Sequence, residues 1–155
     1  MEKHNSGSYR KFALMMLTSF VIMYAVMFLN VDRLEHIFLS HTRTYMTLLM
    51  IAPMAITMLL FMWTMYKNKT LNYLIMGGAV VIGLVTFWAL REQTPIGDMQ
   101  WMKAMIPHHS SAIMVSQEAD LEDPEVRALA KEIIEAQERE IAQMEKMIYR
   151  LQHSE

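Results

Sequence analysis

Apolar residues are bunched in the first ninety positions of this chain, in runs too long for the core of a small soluble domain. Phe12 to Val31 holds no charged residue, and neither do Tyr45 to Tyr66 or Leu71 to Leu90. At about 1.5 Å rise per residue, some twenty helical residues cross the ~30 Å hydrocarbon layer of a bilayer. The pattern therefore predicts three membrane-spanning helices. Lys67-Asn68-Lys69-Thr70 alone separates the second from the third, which makes them a tight antiparallel pair. Pro53, Gly77, Gly78 and Gly83 lie inside these runs, where close helix packing tolerates them.

Beyond residue 90 the pattern changes to an amphipathic period of three and four. Gly97-Asp98 predicts a helix start with Asp98 as N-cap, running to about Ala119. Asp123-Pro124-Glu125 is a stronger start: an Asp cap, Pro at the first helical position and an acid in the first turn. The second helix runs to about Gln152. Ala130, Ile134, Gln137, Ile141, Met144, Ile148 and Leu151 form its seam, opposite Met102, Ile106, His109, Ile113 and Ser116. The short connection makes the helices antiparallel. A turn centred near residues 121 to 122 would place His109 near Ile134, Ile106 near Gln137 and Met99 near Met144. Gln137 is then the side chain expected to hydrogen-bond a seam histidine.

The expected fold is all-α, with three transmembrane helices followed by an extracytoplasmic helical hairpin. Its parts are a cytoplasmic tail (1–11), a membrane domain (12–90) and a soluble hairpin domain (91–155). Two helices bury little apolar surface, so dimerisation into a four-helix, ferritin-like bundle is expected. The first run is too long, and too poorly followed by small residues, for a cleaved signal peptide.

Charge divides the chain at the same place. Residues 1–90 carry 7 Lys and Arg against 3 Asp and Glu, and residues 91–155 carry 7 against 13. The acidic segment argues against a nucleic-acid partner. Lys3, Arg10, Lys11, Lys67 and Lys69 modestly outweigh Arg33, Arg43, Arg91 and the more distant Lys103 on the other side. That bias favours a cytoplasmic N-terminus and a plasma-membrane protein in contact with lipid, its hairpin outside the cytoplasm. The loop Asp32 to Thr44, with His36 and His41, then shares the outer side.

The candidate chemistry is that of methionine and histidine. The chain has 18 Met and no Cys, which excludes disulfides, iron–sulfur clusters and the His₂Cys copper site. Met102-Lys103-Ala104-Met105-Ile106-Pro107-His108-His109 sets two thioethers beside two imidazoles, a ligand set suited to copper and above all to Cu(I). Adjacent helical residues diverge by about 100°, so one metal is not easily shared by His108 and His109 in a regular helix. Met105 can neighbour either, and Pro107 is expected to redirect the imidazoles. Met99, Met102, Met105, Met144 and Met147 gather towards one end of the hairpin. One reading is a metal site, completed by His36 or His41 from the outer loop. The other is a packed seam with a solvated histidine, in a module that dimerises or docks a partner. Met46, Met50, Met54, Met58 and Met62 recur every four residues in the second span, as adaptable packing or as a path for a soft ion. No Glu-x-x-His pair, nucleophile–base pair or glycine-rich phosphate loop supports a di-iron, hydrolytic or nucleotide enzyme.

The stretch Trp101 to His109, with Ala112-Ile113, Asp123-Pro124-Glu125-Val126-Arg127 and Ala136-Gln137-Glu138-Arg139-Glu140-Ile141, resembles the CopM-like family of bacterial extracytoplasmic proteins, long catalogued as a domain of unknown function. The resemblance covers about a third of the chain, and the three spans resemble the membrane-anchored members. It implies a ferritin-like helical bundle that binds copper in the periplasm and sequesters it or passes it to a copper-handling partner. The ligands it implies are Met102, Met105, His108, His109 and Met144.

Overall fold

The computed structural model describes residues 2–153, with side chains from Gly7 onward. Met1, residues 154–155 and the side chain of Lys3, used above for the tail and its charge bias, lie outside the described residues. Every regular element among them is helical. These are α1 (Glu2–Val26), a 3₁₀ turn (Leu34–His36), α2 (His41–Phe61), α3 (Lys69–Glu92), α4 (Asp98–Glu118) and α5 (Pro124–Gln152). The chain divides into two compact units.

The first unit comprises residues 1–26 and 43–95. Gly7–Val26, α2 and α3 are long and apolar enough to cross a membrane. α1 stops five residues short of the expected Val31, because Met27 onward belongs to the second unit, where Phe28 is buried. Phe28 is covered by protein there while Leu29 is exposed, and a hydropathy pattern does not distinguish a protein core from lipid. Phe12, Ala55, Leu59, Tyr66 and Ala79 form the inner core, with Met15, Met16, Met58, Met62 and Met76 packed around it. Met46 and Met50 are exposed, so the methionine ladder is half core and half outer surface. Leu14, Leu17, Val21, Leu84, Val85 and Trp88 are also exposed, far more apolar surface than a water-soluble monomer presents.

One end of this unit is locked by a buried polar knot. Asn72 is fully buried; its Nδ2 donates to the Tyr66 carbonyl at 2.8 Å. The Tyr9 hydroxyl lies 2.8 Å from Asn72 Oδ1 and 3.1 Å from the Asn68 carbonyl. Asn68 caps α3, its side chain accepting from the Leu71 amide. Tyr9 packs tilted against Tyr66 at 5.2 Å and Phe12 meets it edge-on at 5.6 Å.

The second unit joins residues 27–42 to residues 96–155. α4 and α5 form the expected hairpin. Asp123 caps α5, accepting from the Glu125 and Val126 amides. The start of α4 differs from expectation: Gly97 occupies the cap position and Asp98 is the first helical residue. α4 runs unbroken through Pro107, which is buried in its interior. Met102, Ile106, Ile113, Ile141, Met144 and Ile148 make the seam, with Phe38 from the loop packed against them.

The 27–42 loop is strapped across α4. The Asp32 amide donates to Ser110 Oγ at 2.8 Å, His36 Nδ1 lies 2.8 Å from the same oxygen, and Asn30 Nδ2 donates to Ser111 Oγ at 2.6 Å. The His41 amide donates to Gln100 Oε1 at 3.2 Å.

Candidate metal centre

α4 presents His109 to α5 with both ring nitrogens engaged. Nδ1 lies 3.0 Å from the Met105 carbonyl, one turn back on the same helix. A carbonyl only accepts, so Nδ1 carries a proton. A backbone carbonyl on one imidazole nitrogen is the arrangement that fixes the ring and aims the other nitrogen at a metal. Here that other nitrogen, Nε2, lies 2.6 Å from Glu140 Oε2 of α5. The Glu140 side chain is 55% exposed, so the pair adds at most about 1 kcal/mol to the hairpin.

His108 is exposed, and its ring centroid lies 6.0 Å from that of His109 with planes 63° apart. Since His109 already uses both nitrogens, the two imidazoles do not converge on a common point. Pro107 lies between them and the Met105 turn, inside a continuous α4.

The helix register differs from the sequence estimate. His109 meets Glu140, six residues beyond the expected Ile134. Side chains on a helix lean towards its N-terminus, so in an antiparallel pair each contact reaches past the residue at its own level. Gln137, expected to satisfy the seam histidine, has a buried Oε1 with no hydrogen-bond partner among the described residues. The same register moves Met144 from opposite Met99 to opposite Met105, one turn of about 6 Å from the His109–Glu140 layer. Met102 and Met147 follow in the next layer. Met102 and Met144 are buried in the seam, Met105 and Met147 half-buried against it, and Met99 half-buried outside that cluster.

His36 and His41 are on the hairpin's unit, but neither joins His109. His41 is exposed at the start of α2. His36 is buried against Ser110, which follows His109 and so points about 100° away from it. No group of three or more His, Asp or Glu among the described residues could hold a metal. The donors that do lie in adjacent layers are two thioethers and one oriented imidazole, which fit a soft ion rather than zinc.

Two residues of this region escaped the sequence reading. Glu140 looked like one more member of a charged outer face. Ser110 was not singled out, although its spacing from Ile106 and Ile113 marks it as inward-facing.

These features define a class: an all-helical chain with three candidate membrane spans and a strapped, Met- and His-bearing hairpin. Residues 87–148 match the family described as "Domain of unknown function (DUF305)". The chain is also 35% identical over 138 residues to "Uncharacterized protein L153" of Acanthamoeba polyphaga mimivirus, covering 87% of this chain and 89% of that protein. It belongs to the family of that viral protein, and it carries the domain of unknown function in its C-terminal part. No solved structure gives a significant match.

Proposed function

We propose that this is a membrane-anchored metal-binding protein of the CopM-like type, which sequesters or hands over copper without catalysis. The first unit is the multi-pass anchor. The second lies on the outer face of a bacterial plasma membrane, where the excess of Lys and Arg on the opposite ends of the spans would direct it. Cu(I) is the ion the donor set suits. His109 Nε2, Met105 and Met144 are its ligands, Met102 and Met147 form a second thioether layer, and His108 is an exposed entry ligand.

The observation that carries this reading is the 3.0 Å contact from His109 Nδ1 to the Met105 carbonyl. It is the support a metal-binding imidazole uses, and it ties the ring to the residue whose thioether lies in the next layer. When bound, the ion would supply soft Lewis acidity and no proton chemistry. Glu140 must leave Nε2 for it to enter.

The test is an anaerobic Cu(I) titration of the full chain in nanodiscs against a chelator of known affinity. His109→Ala, and Met105→Leu with Met144→Leu, should each weaken binding by about tenfold to a hundredfold or more. Binding unchanged in both variants would sink the reading.

A second reading rests on exposed Val115, Val126 and Leu129 flanking the hairpin turn. They would let two copies pair into a four-helix bundle, making the hairpin a dimerisation module with or without metal. Crosslinking in metal-free membranes should then trap a dimer. A dimer that dissolved on chelation would count against a metal-free module.

A further inference from the structure

The first unit carries its positive charge at one end. Arg10 and Lys11 lie near the start of α1, and Lys67 and Lys69 at the turn between α2 and α3. The Tyr9 hydroxyl, 3.1 Å from the Asn68 carbonyl and 2.8 Å from Asn72 Oδ1, ties these two places together. All four cations are exposed. None of them makes an ion pair among the described residues. Glu92 is the one carboxylate among the described side chains of this unit. It closes the far end of α3, about 34 Å along the helix from Lys69. Four like charges are thus gathered by a buried polar knot with no counter-ion at hand, and an anion arriving there relieves their mutual repulsion.

Below these cations the surface turns apolar. Gly7, Arg10, Lys11, Ala13, Leu14 and Leu17 line an open groove along α1. Arg10, Leu14 and Leu17 follow one another at steps of four and three residues, so they share one helix face. Leu14 and Leu17 are 64% and 61% exposed. Trp63 and Tyr73 pack edge-on at 5.6 Å. Trp63 comes four residues before Lys67 and Tyr73 four after Lys69, so the pair belongs to the same end of the unit. Tryptophan and tyrosine collect at the headgroup level of a bilayer. The cations then stand at the depth of lipid phosphates, and Leu14 and Leu17 at the depth of acyl chains.

We propose that this end of the unit binds one anionic phospholipid of the surrounding bilayer. Its phosphodiester pairs with Arg10 and Lys11, while Lys67 and Lys69 strengthen the positive potential around it. One acyl chain lies along Leu14 and Leu17. A zwitterionic lipid offers the same phosphate but brings its own ammonium group towards the cations, so it binds more weakly. The proposal rests on the reading of the first unit as a membrane anchor and is independent of the copper reading.

The experiment is native mass spectrometry of the full chain, released from detergent micelles holding known amounts of phosphatidylglycerol or phosphatidylcholine. One phosphatidylglycerol should stay on each chain, with an affinity about fivefold or more above that of phosphatidylcholine. A single Lys or Arg beside an anionic headgroup is worth about fivefold. Arg10→Gln with Lys11→Gln should therefore weaken phosphatidylglycerol binding by about fivefold to twenty-five-fold, and Lys67→Gln with Lys69→Gln by about fivefold. Arg91→Gln, at the other end of α3, should not change it. Affinities for the two lipids within about twofold of each other overturn the proposal. So does an equal loss in Arg91→Gln, which would mark attraction by the total charge of the chain, or an unchanged affinity in both double variants. Release of the chain from membranes by alkaline washing would sink the anchor reading and this proposal with it. Retention in the membrane without a lipid preference sinks this proposal alone.

Discussion

Ser110→Ala tests whether one hydroxyl holds the strap to the hairpin. The side chain is fully buried and bonded at 2.8 Å to both the Asp32 amide and His36 Nδ1. Each of the two groups that loses its partner, the Asp32 amide and His36 Nδ1, costs about 1–2 kcal/mol. Together the closed strap should lose roughly 2–4 kcal/mol. At 1.4 kcal/mol per tenfold, its opening equilibrium rises about 30-fold to several-hundred-fold. Hydrogen exchange at the Asp32 amide in the full chain reads this directly. Ser111→Ala is the control, because its 2.6 Å bond to Asn30 is solvent-exposed and should change exchange by no more than about fivefold. Exchange at Asp32 altered less than threefold by Ser110→Ala would refute the reasoning. Equal opening in both variants would also refute it.

Three further outcomes follow from the same structure. Asp123→Ala removes the acceptor of the Glu125 and Val126 amides, and should lower the stability of the hairpin by about 1 kcal/mol, seen as a lower melting temperature and faster exchange at those two amides. Asn72→Leu leaves the Tyr66 carbonyl without its donor, and should destabilise the first unit by about 1–3 kcal/mol in a denaturant titration in detergent; unchanged stability would mean the polar knot is incidental. Ile106→Ala empties a fully buried seam position, and should cost about 2–5 kcal/mol, against near-neutrality for Val126→Ala at the exposed turn in a monomeric sample.

The three long apolar helices and the hairpin were legible because each rests on a long hydrophobic signal, and Asp123-Pro124 marked its helix start as the structure has it. What the sequence did not reveal depends on direction and coverage. The end of α1 was misplaced because Phe28 is apolar for the sake of a protein core. The register was missed because side-chain lean shifts His109 from Ile134 to Glu140. The link between loop and hairpin was legible only as a shared side. That His36 meets Ser110 is a contact across 74 residues, and no local pattern carries it.

That strap also has a history within each molecule. Asp32 and Ser110 are 78 residues apart in sequence. At about 5–20 residues per second of synthesis, the strap exists for roughly 4 to 16 s before its anchor point is made. During that interval the Asp32 amide and the His36 ring have no Ser110 to meet. The second unit is thus completed only when the last helices arrive, and a fragment beginning at α4 would lack the piece of chain that covers it.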